Sequence, residues 1–283
     1  IEAEVAEICG RYGPLFELWF DGGAHGPAQG GPDVQSVFER LQPDCLFYHN
    51  HDRADARWGG TESGTVPYPC WARMPFAGSG GPGKTERINA NDFQLLKHGD
   101  EDGSVWCPAM SDAPLRNHEW FWDEGDEHKL YPLASLIEMY YRSVGHNSTL
   151  IMGLTPDRRG LIPEADARRC REWGAAIRSA FDGRCVAAAG EGEQLILDVP
   201  EDGSFDQIVL QEDIRQGERV RQYSVEAEGP HGWHAIAAGS CIGHKRIHRL
   251  DTPVQGRRLR LRVERAVAVP QIQQLALFER AAS

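Results

Sequence analysis

Two acidic residues stand in surroundings that suit nucleophilic or acid–base chemistry, and Asp21 is the first of them. It follows the apolar run FELWF and precedes Gly22 and Gly23, which allow the chain to turn. Because side chains alternate along a strand, Glu17, Trp19 and Asp21 are predicted to share one face. Barrel and open α/β enzymes place catalytic groups where a strand ends in a loop. An aspartate that only caps a turn is the alternative.

Glu62 is the second acidic candidate. It lies in RWGGTESGTVPYPCW, residues 57–71, among glycines that permit close backbone approach. The aromatic residues Trp58, Tyr68 and Trp71 offer flat apolar faces of the kind on which a sugar ring packs. Glycoside hydrolysis requires two carboxyl groups that flank the bond to be broken, and Asp21 and Glu62 are the candidates. A solvent-exposed loop glutamate is the alternative for Glu62.

The densest group of histidines comprises His25, His49 and His51. A metal site needs a further ligand and a fixed geometry, which this spacing does not supply. Hydrogen bonding to sugar hydroxyls, or an ordinary loop position, is favoured over metal binding. The sequence contains no dinucleotide fingerprint, Walker loop or G-x-S-x-G motif, so neither a cofactor nor a metal is expected.

The elements that must position these residues alternate between helices and strands in the first part of the chain. Apolar periodicity predicts a first helix that ends before Gly13-Pro14, followed by further helices and short strands. The later helices are expected at 33–42, 132–144 and 163–181, and the strands at 15–20, 44–50, 104–110 and 148–154. Residues 51–103 are rich in glycine, proline and charge and are predicted to form a long irregular excursion.

After Gly183 the pattern changes to short alternating stretches separated by turn residues. In RRLRLRVER, for example, Leu259, Leu261 and Val263 share one face and arginines the other, which is typical of a half-solvated strand. Such stretches predict an antiparallel β-sandwich with strands at 193–199, 206–212, 219–227, 233–239, 244–250, 257–264 and 270–278. The predicted domains are therefore 1–182, an α/β part, and 183–283, an all-β part.

Composition and charge narrow the function classes. The 283 residues are 41% hydrophobic and carry a net charge of −12, which disfavours nucleic acid and anionic membranes as partners. No apolar run approaches the roughly 20 residues of a membrane span. The seven cysteines are scattered and lack a C-x-x-C pair, so free buried thiols are expected.

Five stretches together resemble the α-L-fucosidases, the family 29 glycoside hydrolases. YGPLFELWFDGG resembles the nucleophile strand, and RWGGTESG…PCW the acid/base loop of the branch that acts on α-1,3/1,4 linkages, with Thr61 where the pattern has Asn. VWCPAMSD…EWFW, YYRSVGHNSTLIMGLTPDRRGLI and FDQIVLQEDIRQGERVRQYSVEA continue the match in order. The resemblance covers nearly the whole chain.

The resemblance implies a retaining hydrolase of fucosylated oligosaccharides or glycoconjugates. Asp21 would be the carboxylate nucleophile and Glu62 the general acid/base. The implied substrate-binding residues are Trp19, Arg57, Trp58, Trp71, His25 and His49. A fragment that binds carbohydrate without turnover, or is inactive, is the alternative.

The implied fold is the carboxyl-terminal part of a (β/α)8-like barrel followed by the β-sandwich. The family's nucleophile strand is the fourth of its barrel, so the chain is expected to be truncated at its amino-terminal end and to lack the first barrel strands.

Overall fold

The computed structural model describes residues 1–24, 26–50, 55–75, 90–183, 185–201, 203–254 and 256–279. Contacts between backbone positions divide the chain into two compact units. Unit 1 comprises residues 1–60 and 72–110, and unit 2 comprises residues 61–71 and 111–283. This division differs from the predicted boundary at 182/183, because helices that precede position 183 pack on strands that follow it.

Unit 1 begins with alternating helices and strands. In chain order these are α1 (Glu2–Arg11), β1 (Glu17–Ala24), α2 (Val34–Leu41), β2 (Leu46–Asn50), β3 (Arg57–Trp58), β4 (Arg73–Met74), α3 (Ala90–His98) and β5 (Val105–Trp106). β1 and β2 are parallel, as the alternation of elements predicts. Asp33 caps α2 by accepting a hydrogen bond from the Ser36 backbone N–H at 3.1 Å.

One apolar cluster holds β1, β2 and the first two helices together. Phe47 of β2 is fully buried, stacks on Phe20 of β1 and meets Phe38 of α2 edge-on. Val5 and Cys9 of α1 complete the buried side. The helices thus cover one face of the β1–β2 pair, and the alternation of side chains leaves the other face to Glu17 and its neighbours.

β1 differs from its prediction at the end that matters for the site. Gly22 and Gly23 were expected to turn the chain, whereas the strand continues to Ala24. The ladder with β2 is regular as far as the Trp19–Tyr48 pair, shifts register, and resumes where Ala24 pairs with Asn50. The chain therefore forms an irregularity in the strand here rather than a turn, and Asp21 lies within it.

The predicted excursion at 51–103 contains regular structure. α3 buries Leu96 beside Met74 and Cys107, a contact between residues far apart in the sequence. The predicted single strand at 104–110 is instead two strands, β5 and β6 (Ala109–Pro114). β5 pairs antiparallel with β4, while the first residues of β6 pair parallel with β3. The predicted strand is therefore divided, because β5 pairs with an antiparallel strand and β6 with a parallel one.

Unit 2 continues from β6 with α4 (Leu133–Ser143), β7 (Thr149–Gly153) and α5 (Glu164–Phe181). β7 is hydrogen-bonded to β6. Leu136 and Met139 of α4 pack with Leu115 on a cluster that includes Trp173 of α5. These three elements follow the predicted positions within two residues.

The remaining strands form two four-stranded antiparallel sheets. They are β8 (Cys185–Glu191), β9 (Gln194–Asp198), β10 (Phe205–Glu212), β11 (Val220–Gly229), β12 (Gly232–Gly239), β13 (Arg246–Arg249), β14 (Arg258–Ala266) and β15 (Gln271–Glu279). The orders are β13-β10-β15-β8 and β12-β11-β14-β9. Side chains of both sheets share one core, in which Ile208, Leu275, Val225 and Leu261 are buried. This is a β-sandwich, and β8, an alanine-rich edge strand, was not predicted.

The helices of unit 2 pack directly on the sandwich. Tyr141 of α4 and Phe181 of α5 form one cluster with Val209, Ile247 and Phe278 of the β13-β10-β15-β8 sheet. Because this apolar contact joins residues on both sides of position 183, the part of the chain from 111 onward forms one compact unit.

Two further expectations concern membranes and thiols. Among the described residues, no helix combines the length and the hydropathy that crossing a bilayer requires. All seven cysteines are free, and five of them are buried, in agreement with the expectation from their spacing.

Candidate active site

Asp21 lies in the irregular part of β1 and its side chain is exposed to solvent. Two residues earlier, Trp19 is half-buried and lies against Tyr48 of β2, with 4.0 Å between ring centroids. β1 therefore carries a half-buried indole ring and, two residues later, a solvated carboxylate. An exposed carboxylate beside an aromatic wall is a suitable arrangement for attack on a sugar that packs against the ring.

Glu17 shares that face but lies deeper. One of its carboxyl oxygens is buried without a hydrogen-bond partner among the described residues. Burial raises the pKa of Glu17, because the charged form loses solvation. Glu17 and Asp21 are therefore distinguished by their surroundings, and Asp21 is the solvated member.

The segment that carries Glu62, residues 61–71, is held by its backbone within unit 2. Gly64 donates from its N–H to the Asp112 carbonyl at 2.8 Å, and Val66 donates to the Arg142 carbonyl at 2.9 Å. Gly64 has a φ of +66° and leaves no free space, since a Cβ there would lie 3.0 Å from Met139 Sδ. Glycine at this position is thus required both by the backbone angle and by the close approach of α4.

The side chain of Glu62 is exposed and meets an aromatic residue that the sequence reasoning did not single out. Trp120 donates a hydrogen bond from Nε1 to Glu62 Oε2 at 3.1 Å. The Trp120 ring lies against Gly153 at the end of β7, where a Cβ would come within 2.7 Å of Cζ3. The motif EWFW contained this tryptophan, but no local spacing relates position 120 to position 62.

A buried ion pair braces the loop that carries Trp120. Arg116 and Asp166 of α5 form two hydrogen bonds, at 3.0 and 2.7 Å, with both side chains almost fully buried. Within the loop, Lys129 Nζ lies 2.6 Å from Glu119 Oε1, and Tyr131 donates to Asn117 Oδ1 at 2.7 Å. The loop therefore has a fixed base on α5 and internal cross-links on either side of the tryptophan.

The hydroxyl side chains next to Glu62 form a short chain. Thr61 Oγ1 lies 2.7 Å from Ser63 Oγ, which in turn lies 2.9 Å from Thr65 Oγ1. Thr61, which departs from the family pattern, thus supports the segment through its hydroxyl.

A polar network ties the far end of segment 61–71 to the sandwich. Tyr68 Oη donates to the Cys241 carbonyl and accepts from the backbone N–H groups of Ser240 and Cys241, each at 2.8 Å. Burial raises the pKa of Tyr68. Asn147 donates to the Cys70 carbonyl at 2.9 Å and accepts from the His244 N–H at 2.7 Å.

Two histidines belong to the same region. His146 lies 2.8 Å from the Val66 carbonyl through Nδ1, and His248 lies 2.9 Å from Tyr223 Oη through Nε2. Burial lowers the pKa of His146 to about 4 and that of His248 to about 3. Nearby Arg246 lowers both pKa values further.

Three predicted substrate-binding residues are less accessible than Asp21 and Glu62. Arg57 is 1% exposed and donates to the backbone carbonyls of Leu96 and Cys107. Trp71 is 4% exposed, and the Arg221 guanidinium lies 4.9 Å from its ring centroid. Trp58 is half-buried against Phe93. Arg57 and Trp71 are thus buried by contacts within the protein, and the sugar-binding roles of all three residues stay predictions.

The sequence also predicts that histidines bind the sugar. His25 and His51 lie outside the described residues, as does the side chain of His49. Among the side chains that the structure describes, no group of three or more His, Cys, Asp or Glu is arranged to hold a metal ion.

The whole chain was compared with solved structures and curated proteins. A protein of Bacteroides thetaiotaomicron, provisionally assigned as an α-L-fucosidase, superposes with a TM-score of 0.91 and 45% identity over 98% of this chain. The chain resembles the α-L-fucosidases. A glycoside hydrolase 29 family member from an unknown rumen bacterium gives a TM-score of 0.82 and 27% identity over the whole chain. α-L-Fucosidase 1 of Oryza sativa, also a provisional name, is 29% identical over 97% of the chain.

The fucosidase relatives are longer than this chain. It spans 58% of the rice protein, 63% of the Bacteroides protein and 54% of the rumen protein. No protein-family model matches the chain. The resemblance predicted from the five motifs is confirmed by these matches, which extend over nearly all of its residues.

Proposed function

We propose that the chain is part of a retaining α-L-fucosidase whose two catalytic carboxyl groups are Asp21 and Glu62. The match to α-L-fucosidases over nearly the whole chain carries this proposal. It is supported by the exposed position of both carboxyl groups, one in the irregular end of β1 and one in a segment pinned by backbone hydrogen bonds.

In the proposed mechanism, Asp21 attacks the anomeric carbon of fucose while Glu62 gives its proton to the departing glycosidic oxygen. The C–O bond to the leaving group breaks and a fucosyl–aspartate ester forms. Glu62, now ionised, takes a proton from water, and the water oxygen displaces Asp21 from the sugar. Two inversions retain the anomeric configuration, and Asp21 is regenerated as a carboxylate.

The proposed substrate is a terminal α-linked L-fucose on an oligosaccharide or glycoconjugate, with α-1,3/1,4 linkages preferred. Trp19 is proposed as an aromatic wall for the sugar, because its ring is half-buried next to the exposed Asp21. The barrel of which β1, β2, β3 and β6 would be part is likewise a proposal, supported by their parallel pairs.

Azide rescue tests both catalytic roles in the full-length protein. Asp21→Gly should lower kcat with 4-nitrophenyl α-L-fucoside by about 10⁴-fold, because covalent catalysis is lost while binding remains. Added azide should enter the vacated space and restore turnover with β-fucosyl azide as product. In Glu62→Ala azide should instead attack the fucosyl-enzyme and give α-fucosyl azide.

Asp44→Asn, which changes an exposed carboxylate next to β2, is the matched control and should retain activity. A Lewis-type trisaccharide should be tested beside the aryl substrate, since it carries the proposed linkages. Near-normal activity of Asp21→Gly would disprove the nucleophile assignment. Binding of fucosides without turnover by the unaltered protein would instead support a carbohydrate-binding role.

A further inference from the structure

The contact between Trp120 and Glu62 joins a flexible side chain to a fixed one. Glu62 is exposed, and an exposed glutamate that makes no such contact has several rotamers open to it. Trp120 has only two side-chain torsions and rests against the backbone of Gly153, with room for the ring only because position 153 lacks a Cβ. The strand end beneath it is itself fixed, since Gly153 accepts a hydrogen bond from the Leu115 N–H at 2.9 Å.

The base of the Trp120 loop is equally constrained. The buried Arg116–Asp166 pair fixes the residue four positions before the tryptophan, and the Lys129–Glu119 contact fixes the residue next to it. A donor that is held on both sides can orient a mobile acceptor, because it loses little conformational entropy when the hydrogen bond forms.

The chemistry of the indole group adds a second constraint. Trp Nε1–H is a donor without acceptor capacity, so Glu62 Oε2 must accept from it in either protonation state of the carboxyl group. A protonated carboxyl has one carbonyl oxygen and one hydroxyl. If Oε2 is the carbonyl oxygen that faces the indole, Oε1 carries the proton.

We infer that Trp120 is a positioning residue for Glu62: its indole N–H, fixed on Gly153, holds the carboxyl group in one orientation and leaves Oε1 to carry the transferable proton. This inference rests on the proposed function, in which Glu62 protonates the leaving oxygen. Trp120 then contributes most to substrates whose leaving group needs that proton.

Aryl fucosides of different leaving-group acidity provide the test in the full-length protein. Phenyl α-L-fucoside needs protonation of its leaving oxygen, whereas 2,4-dinitrophenyl α-L-fucoside does not. Trp120→Phe keeps an aromatic ring and removes the donor. It should lower kcat/KM for the phenyl substrate by about tenfold, a part of the 10²–10⁴-fold that general acid catalysis provides, and change the dinitrophenyl rate by less than about threefold.

Two further variants separate positioning from damage to the fold. Trp106→Phe is the matched control, because Trp106 is 39% exposed and Trp120 is 37% exposed, and it should leave the ratio of the two rates unchanged. Gly153→Ala should reproduce the selective loss, because its methyl group would displace the indole ring. In a Glu62→Ala background, Trp120→Phe should cause no further loss with the phenyl substrate.

The hydrogen bond can also be observed without any activity. In protein labelled with ¹⁵N-tryptophan, the Trp120 indole resonance, assigned by its absence in Trp120→Phe, should shift in Glu62→Ala. An unmoved resonance, or equal losses on both substrates in Trp120→Phe, would overturn the positioning role. If Glu62→Ala itself showed no dependence on the leaving group, the proposed function would fail instead, whatever the resonance did.

Discussion

Asp21 and Glu62 are held in place by different kinds of interaction. The strand that carries Asp21 rests on apolar contacts among Phe20, Phe38 and Phe47. The segment that carries Glu62 is pinned by hydrogen bonds that involve backbone groups, tyrosine, asparagine and histidine. Apolar contacts do not titrate, whereas buried histidines do. The two carboxylate-bearing regions should therefore respond differently to core truncation and to pH.

The largest effect is expected when the apolar cluster that supports the Asp21 strand is truncated. Phe47→Ala should destabilise unit 1 by about 3–5 kcal/mol, because a fully buried ring is replaced by a cavity between β1 and α2. Hydrogen exchange measured by mass spectrometry should show faster exchange in 1–24 and 34–50. Segment 61–71 serves as the internal control, and an equal increase there would contradict the view that separate interactions hold the two regions.

Lowering the pH should destabilise the hydrogen-bonded region around segment 61–71 before it affects the apolar cluster of unit 1. The folded-state pKa values of His146, about 4, and His248, about 3, lie below the ordinary value of 6.5. Between pH 6.5 and 4 the unfolded chain therefore binds more protons, and the free energy of unfolding falls as the pH falls. The loss should be roughly 2–3 kcal/mol for each histidine, and that from His248 should continue toward pH 3.

Denaturant unfolding of the whole protein at pH 6.5, 5.5 and 4 measures this loss. His146→Gln is the matched variant, because its amide can still donate to the Val66 carbonyl but does not titrate in this range. The variant should lose less stability between pH 6.5 and 4 than the unaltered protein. An unchanged pH dependence would show that His146 is not buried in its neutral form.

The smallest effect compares two glycines with similar backbone angles. Gly13 in unit 1 has a φ of +85° and open space around it, whereas Gly64 in unit 2 has a φ of +66° and contacts Met139. Replacement by alanine should cost about 1 kcal/mol from backbone strain at Gly13. At Gly64 it should cost about 1 kcal/mol more, because Met139 must also move. Equal costs, measured by denaturant unfolding of each variant, would show that the α4 contact does not constrain the Glu62 segment.

Much of the local structure could be predicted, since it depends on neighbours in the sequence. The cap of α2 and the apolar faces of α2, α4 and α5 follow from residues one to four positions apart, and each helix was found within two residues of its prediction. The errors have a common origin. α3, the division into β5 and β6, and the continuation of β1 to Ala24 depend on pairing partners that are distant in the chain.

The sequence by itself determined the chemistry that this protein can offer: two acids in fucosidase-like motifs, an α/β part and a β-sandwich. Tertiary structure alone decided which aromatic residue meets Glu62 and which candidates are buried. Trp120 lies 58 positions away and reaches the carboxylate only because Gly153 leaves room for its ring. Trp71, nine positions away, is covered by Arg221. Side-chain types are properties of single positions, whereas burial and contact are properties of the packed chain.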